Sequence, residues 1–158
     1  MRIILHAGAN KTDDDHLLLS LRRNLTLHHQ NKIALPLPKQ YRRPLRQRMM
    51  QSNHTAPDAD ARDILIDLFL DNEPEDCRTL YMGIPGFFGA PKESVQNNSF
   101  YPHAISNLVR FIELFPDDQT YLFFALRNPA TFIPALMAEA KTDNLNFIMN
   151  KSDPRALR

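Results

Sequence analysis

Three short apolar runs set apart by helix-patterned stretches limit what this chain can become. They are Arg2–Ala7 (RIILHA), Arg78–Met82 (RTLYM) and Tyr121–Leu126 (YLFFAL). Each is rich in Ile, Leu or aromatic residues, and each reads as a strand; the third, apolar throughout, is expected to be buried on both faces. Between them the period changes. Behind Asp14 or Asp15 as N-cap, Leu17, Leu18, Leu21 and Leu25 recur at helical spacing and predict a helix to about His29. Pro57 and Asp58 open a second, reaching Leu70, with Ala61, Ile64, Leu65, Leu68 and Phe69 on one face. Tyr101–Phe115 is a third, with Ile105, Leu108, Val109, Ile112 and Phe115 inward, and Pro129 starts a fourth that runs to about Ala140. Strands alternating with helices predict an α/β protein built on a three-layer parallel sheet, a single domain over residues 1–158.

In such a sheet ligands bind beyond the carboxyl ends of the strands. The segments that fall there are Gly8–Asp13, Gly83–Ser99 and Arg127–Pro129. Gly83–Ser99 holds three of the four glycines in the chain and reads as a long loop, a common place for function. Ile33–Lys39 is extended because two prolines forbid helix. Tyr41–Asn53 carries Arg42, Arg43, Arg46 and Arg48 and reads as a short helix or an irregular surface segment.

The net charge is +1, so no global field argues for nucleic acid or an anionic membrane. Cys77 is the only cysteine, which excludes an internal disulfide and fits a reducing, cytoplasmic setting. No apolar run approaches the roughly 20 residues of a membrane span, and no signal-peptide pattern precedes the first strand. Met1 reads as a true start. The closing NKSDPRALR carries no apolar element, as expected of a chain truncated at its C-terminus or of a short member of a longer family.

Two segments carry a family resemblance. LHAGANKTDDDHLLLSLRRNLTLHHQNKIALP resembles the opening of sulfotransferases, especially the bacterial sulfotransferase-like proteins: a strand, His-x-Gly-x-x-Lys-Thr, a helix, and an extended stretch ending in proline. YLFFALRNPATFIPALMAEA resembles their second cofactor segment, a strand followed by Arg-x-Pro and a helix. The resemblance covers roughly Met1 to Lys141. It implies a P-loop-like sulfotransferase fold and transfer of sulfuryl from 3'-phosphoadenosine 5'-phosphosulfate to the hydroxyl or amine of a small-molecule or glycan acceptor. It places Lys11 and Thr12 on the 5'-phosphosulfate, in a loop completed by Gly8, Asn10, Asp13 and Asp14, and Arg127 on the 3'-phosphate. Lys11 would stabilise charge on the departing bridging oxygen, and the Arg127 fork suits a phosphate.

The departures matter as much. After Lys-Thr the family pattern has glycine and then a hydroxyl residue; here Asp13 and Asp14 follow, with Asp15 next. Two like charges about 4 Å apart repel by about 1 kcal/mol in water and about 4 at an effective dielectric of 20. Eight residues beyond Arg127 the family has serine and this chain has Ala135, and the glycine-rich cofactor segment nearer the C-terminus of many members is absent. A degenerate phosphosulfate loop is therefore expected. Besides an active sulfotransferase, two readings stay open: a non-catalytic binding or scaffold protein that retains the fold, and metal-assisted phosphate binding through Asp13–Asp15.

Other candidates are weighed against plainer roles. His6, at the end of the first strand, and Glu93, in the long loop, are candidate proton acceptors; His6 more often would be a satisfied core residue, and Glu93 has only its position. Asp13–Asp15 could simply cap the helix. Arg127 could pair with one of these aspartates. His16, His28 and His29 lack metal-ligand spacing. Phe87 and Phe88 fit anchors of the long loop, Arg42–Arg48 a solvated face, and Cys77 a small buried hydrophobe.

Overall fold

A computed structural model describes residues 1–51, 60–149, Asp153 and Arg155. The chain packs as two compact units. The first comprises Met1–His6, Asp15–Ile84 and Val109–Phe123, the second Ala7–Asp14, Pro85–Leu108 and Phe124–Arg158. In chain order the elements are β1 (Arg2–Gly8), α1 (His16–Arg22), α2 (Leu25–Gln30), β2 (Ile33–Ala34), α3 (Pro38–Gln51), α4 (Ala61–Leu70) and β3 (Thr79–Pro85). There follow a 3-10 turn (Pro91–Glu93), β4 (Val95–Gln96), β5 (Ser99–Phe100), α5 (Ala104–Leu114), β6 (Gln119–Ala125), α6 (Pro129–Ala140) and α7 (Leu145–Met149). The expected α/β architecture is present: a four-stranded parallel sheet in the order β2-β3-β1-β6. Ile33 lies opposite Thr79 and Ala34 opposite Leu80. No described helix is long and apolar enough to cross a membrane.

In the first unit the alternation of β1 sends Ile3 and Leu5 fully inside, with Leu80 and Met82 of β3. Leu18, Leu35 and Tyr81 form a further buried cluster over Ile4, Leu21, Leu25 and Ile33. The helix expected to reach His29 is broken in two at Arg23–Asn24. The turn lets two side chains meet Glu73, whose carboxylate is nearly out of water. His29 Nε2 lies 2.8 Å from it, the Arg22 guanidinium 3.7 Å, and the Leu35 N–H donates to it at 3.1 Å. One carboxylate thus ties α1, α2 and the exit of β2 together.

Three helix faces differ from expectation or fall outside it. Of the α4 face, Ala61, Leu65 and Phe69 are buried as expected, whereas Ile64 and Leu68 face water and Ile66 is inside; the start expected at Pro57 and Asp58 lies outside the described residues. In α5 the expected inward face holds only in part. Phe115, just beyond the helix, is buried as expected and Leu108 is half-buried, while Ile105, Val109 and Ile112 are exposed and Phe111 and Leu114 are inside instead. The helix carries apolar residues all round, so periodicity alone cannot choose a face. The Phe111 and Phe115 rings meet at 5.1 Å on the buried side. The Arg42–Arg48 run lies on α3, a regular helix containing Pro44.

β6 is the largest correction. It is not buried on both faces: Tyr121, Leu122, Phe123 and Phe124 are all substantially exposed. Its place at the end of the strand order, which its composition does not reveal, leaves it open.

The second unit is organised around Ala9, Val95, Phe132, Leu136, Ile148 and Met149. Gly83–Ser99 is not one long loop. Its first residues finish β3, Pro91–Glu93 form the 3-10 turn, and β4 and β5 make an antiparallel hairpin pairing Val95 with Phe100 and Gln96 with Ser99. Asn97 and Asn98 take φ of 49° and 61° at its tip, the left-handed pair that a two-residue hairpin turn demands and that asparagine tolerates. Phe87 and Phe88 are buried anchors, as expected, with rings 5.1 Å apart. Asn128 caps α6 by accepting the Ala130 N–H at 2.9 Å. Beyond Lys141, where the sequence pattern fades, α7 adds Ile148 and Met149 to the core.

A buried ion pair in the first unit gives a stability prediction. Arg62 donates to both oxygens of Asp118, at 2.6 and 2.8 Å, and the Met1 ammonium donates at 2.7 Å. Burial alone would raise the Asp118 carboxyl, but the bonds from Arg62 and the ammonium hold it below its usual value. A depressed folded-state pKa contributes stability that is full above the unfolded value, about 3.9, and is lost as pH falls through the folded one. Asp118→Asn is therefore expected to cost about 1–3 kcal/mol at neutral pH and to flatten the acid loss of stability below about pH 4. Urea midpoints at both pH values test this; equal neutral midpoints would deny the pair any role.

Candidate functional site

The strand order changes direction between β1 and β6, so the segments leaving these strands flank the place where open α/β sheets hold ligands. Both segments belong to the second unit, joined by a bond from the Ala9 N–H to the Ala125 carbonyl at 3.0 Å.

The loop after β1 is fixed from beneath by Asn10, which is buried. Its Oδ1 accepts from the Ser94 hydroxyl at 3.0 Å and the Tyr101 hydroxyl at 2.9 Å, and its N–H donates to the Tyr101 oxygen at 3.0 Å. Burial pushes the Tyr101 phenol up, so it remains a donor at neutral pH. The Gly8 carbonyl accepts the Gly86 N–H at 3.4 Å. Gly86 has φ +67°, and a Cβ there would lie 3.2 Å from Asn10 Nδ2 and 3.3 Å from the Gly89 carbonyl oxygen. Asn10 is thus part of the scaffold: its side chain and its N–H are both turned to protein partners.

Above this anchor the residues likened to phosphosulfate ligands are brought together, and they engage one another. Thr12 donates its hydroxyl to the Ala9 carbonyl. The Lys11 ammonium lies 3.5 Å from the Asp14 carboxylate. Arg127 donates to the Lys11 carbonyl and, through Nε, to the Thr131 hydroxyl at 3.2 Å. Lys11 and Asp14 hold left-handed backbone, with φ of 57° and 47°. Asp13 is half-buried in the same loop.

In the first unit Asp15 also has left-handed φ, 68°, and stands at the N-cap position of α1 without a side-chain cap bond. Its carboxylate is gripped by both arms of Arg42, one bond measuring 2.9 Å, so the capping role expected of it is replaced by an ion pair. Arg42 Nε also donates to the Gly83 carbonyl at 3.0 Å. The neighbouring Tyr41 hydroxyl donates to that carbonyl at 2.8 Å and accepts the Gly83 N–H at 3.1 Å; burial raises its pKa to about 12, keeping it a donor. Only Arg43 and Arg46 of the basic run fit a solvated face.

The remaining candidates take structural partners. His6 Nδ1 is 2.9 Å from the Tyr81 hydroxyl within the first unit. Glu93 accepts the Ala90 N–H at 3.2 Å and closes the 3-10 turn of the second. Among the described residues no three of His, Cys, Asp and Glu gather as a metal site would require. Comparison with family models, with curated proteins and with solved structures gives no match to this chain.

Sequence reasoning missed the Asn10–Ser94–Tyr101 network and the Arg42–Asp15 pair. Both join residues far apart in the chain, and nothing local separates Arg42 from its neighbouring arginines. Gly86→Ala is expected to cost about 1–2 kcal/mol through the left-handed backbone, and Asn10→Ala about 1–3 kcal/mol through stranded hydroxyls. Urea unfolding checks both; two unchanged midpoints would mean the loop is not anchored from below.

Proposed function

We propose that this chain is a sulfotransferase-like α/β protein whose phosphosulfate loop is closed by its own side chains, so that it acts by binding a partner and not by sulfuryl transfer. The observation that carries this reading is the internal engagement of both cations likened to cofactor ligands. Lys11 faces Asp14 at 3.5 Å, and Arg127 donates to the Lys11 carbonyl and to the Thr131 hydroxyl. The groups present do not fit 3'-phosphoadenosine 5'-phosphosulfate. The Asn10 N–H and the Thr12 hydroxyl, which an anion would need as donors, already serve the Tyr101 oxygen and the Ala9 carbonyl. Asp14 brings negative charge to the place where the ligand would bring more. Lys11, the side chain that would stabilise charge on a departing oxygen, faces Asp14 instead. The three aspartates lend no support to a metal-assisted site, because among the described residues they do not gather with other ligands.

The test is thermal unfolding with millimolar 3'-phosphoadenosine 5'-phosphate. A ligand at 100 times its Kd would add about 2.7 kcal/mol, a plain rise in Tm. No rise is expected for the wild type. Asp14→Gly, which suits the left-handed backbone at that position and releases Lys11, is expected to gain one. A rise in the wild type that disappears in Lys11→Ala would overturn the reading in favour of an active cofactor site.

A further inference from the structure

We propose that β6 is a self-association strand: its outer edge pairs antiparallel with β6 of a second copy, joining two four-stranded sheets across a two-fold axis. One edge of β6 is bonded to β1, and among the described residues no strand takes the other. Sheets normally blunt such an edge with lysine, proline, a bulge or an inward charge. From Gln119 to Leu126 this strand has none of these side chains; its sequence is QTYLFFAL. Long, uncharged and strongly β-prone, it has the character of a segment that is covered in the working protein.

The side chains of the strand are exposed as well. Tyr121 and Phe123 project to one side, Leu122 and Phe124 to the other, Phe124 resting in part on the Phe88 and Tyr101 rings, and Leu126 follows at 78% exposure. From their exposed fractions, these five side chains leave roughly 500–600 Å² in water per copy, and edge pairing covers the part of it that faces the partner strand.

A second copy is the occupant that the charge pattern favours. An isologous contact sets each residue against its own strand, so any charge would meet a like charge or require an opposite one nearby. With no charge between Gln119 and Leu126, self-pairing meets no repulsion. In the register that overlaps the whole of β6, Leu122 lies on the axis. Tyr121 of each copy then faces Phe123 of the other, an aromatic cross-strand pair of the kind that stabilises sheets. This role stands apart from the closed loop, since none of its residues is one likened to a cofactor ligand.

The mass of the full chain in solution, by light scattering across a concentration series, decides the matter. A species of twice 18.3 kDa at tens of micromolar is expected, with Phe123→Lys shifting it to the monomer while keeping the wild-type Tm. If Phe123→Lys does not fold, Leu122→Cys serves instead: mild oxidation should join two copies through that position, the native Cys77 being buried, whereas Gln119→Cys, off the axis, should not cross-link. A wild type that stays monomeric overturns the proposal, including one whose β6 captures a strand from a different protein. So does a dimer that Phe123→Lys leaves intact, or one in which Leu122→Cys fails to cross-link.

Discussion

The loop after β1 depends on one buried amide. Asn10 reaches below the loop to two hydroxyls, Ser94 and Tyr101, and every bond it can accept at Oδ1 is made inside the protein. An unmet buried polar group is costly, so this network holds the backbone that carries Lys11 and Thr12 in place. Because Ser94 and Tyr101 flank the β4–β5 hairpin, and the Tyr101 N–H donates to the Ser94 carbonyl at 2.8 Å, hairpin and loop are set together. Gly86 completes the arrangement by passing close to Asn10 with a backbone only glycine adopts freely. The segments leaving β1 and β3 are thereby tied to each other.

Much of the architecture was legible because it follows from period and punctuation. RIILHA, RTLYM and YLFFAL are strands, the Asn-Pro pair before α6 marks that helix start correctly, and the alternation of elements yields a parallel sheet. What failed were questions of neighbourhood. An apolar strand reads the same in the middle of a sheet and at its edge, so YLFFAL was expected inside and stands outside. A helix with apolar residues on more than one side reads ambiguously, and in α5 the buried side carries Phe111, Leu114 and Phe115. At the break between α1 and α2, Arg22 and His29 meet Glu73, more than forty residues away, a partner no local pattern could find. The Asn97–Asn98 hairpin was legible in principle, since paired asparagines between short apolar pairs suit left-handed backbone.

The candidate site was legible in position and not in state. The residues likened to cofactor ligands do lie on the segments after β1 and β6, where the strand order reverses. Their partners were out of reach: Arg42 for Asp15, and the Lys11 carbonyl for Arg127. Ligand motifs specify where side chains are placed along the backbone. Whether a cation in such a motif remains available depends on the carboxylates and carbonyls that the rest of the fold brings within reach.

Two of the three aspartates in a loop that resembles an anion cradle, Asp14 and Asp15, then have a physical account. The turn from β1 into α1 needs left-handed backbone, and Lys11, Asp14 and Asp15 supply it at φ 57°, 47° and 68°. Glycine makes such a turn freely and leaves its N–H groups open to an anion. Aspartate is among the few other residues that tolerate it, at a modest cost, and it reverses the electrostatics. Asp14 draws in Lys11, and Asp15 draws in Arg42 from α3, so each carboxylate does from within what a bound anion would do from without. Aspartate at these positions keeps the left-handed turn and at the same time brings negative charge into the loop. Backbone conformation and charge are carried by different properties of the same residue, so a loop can hold one shape with either electrostatic character.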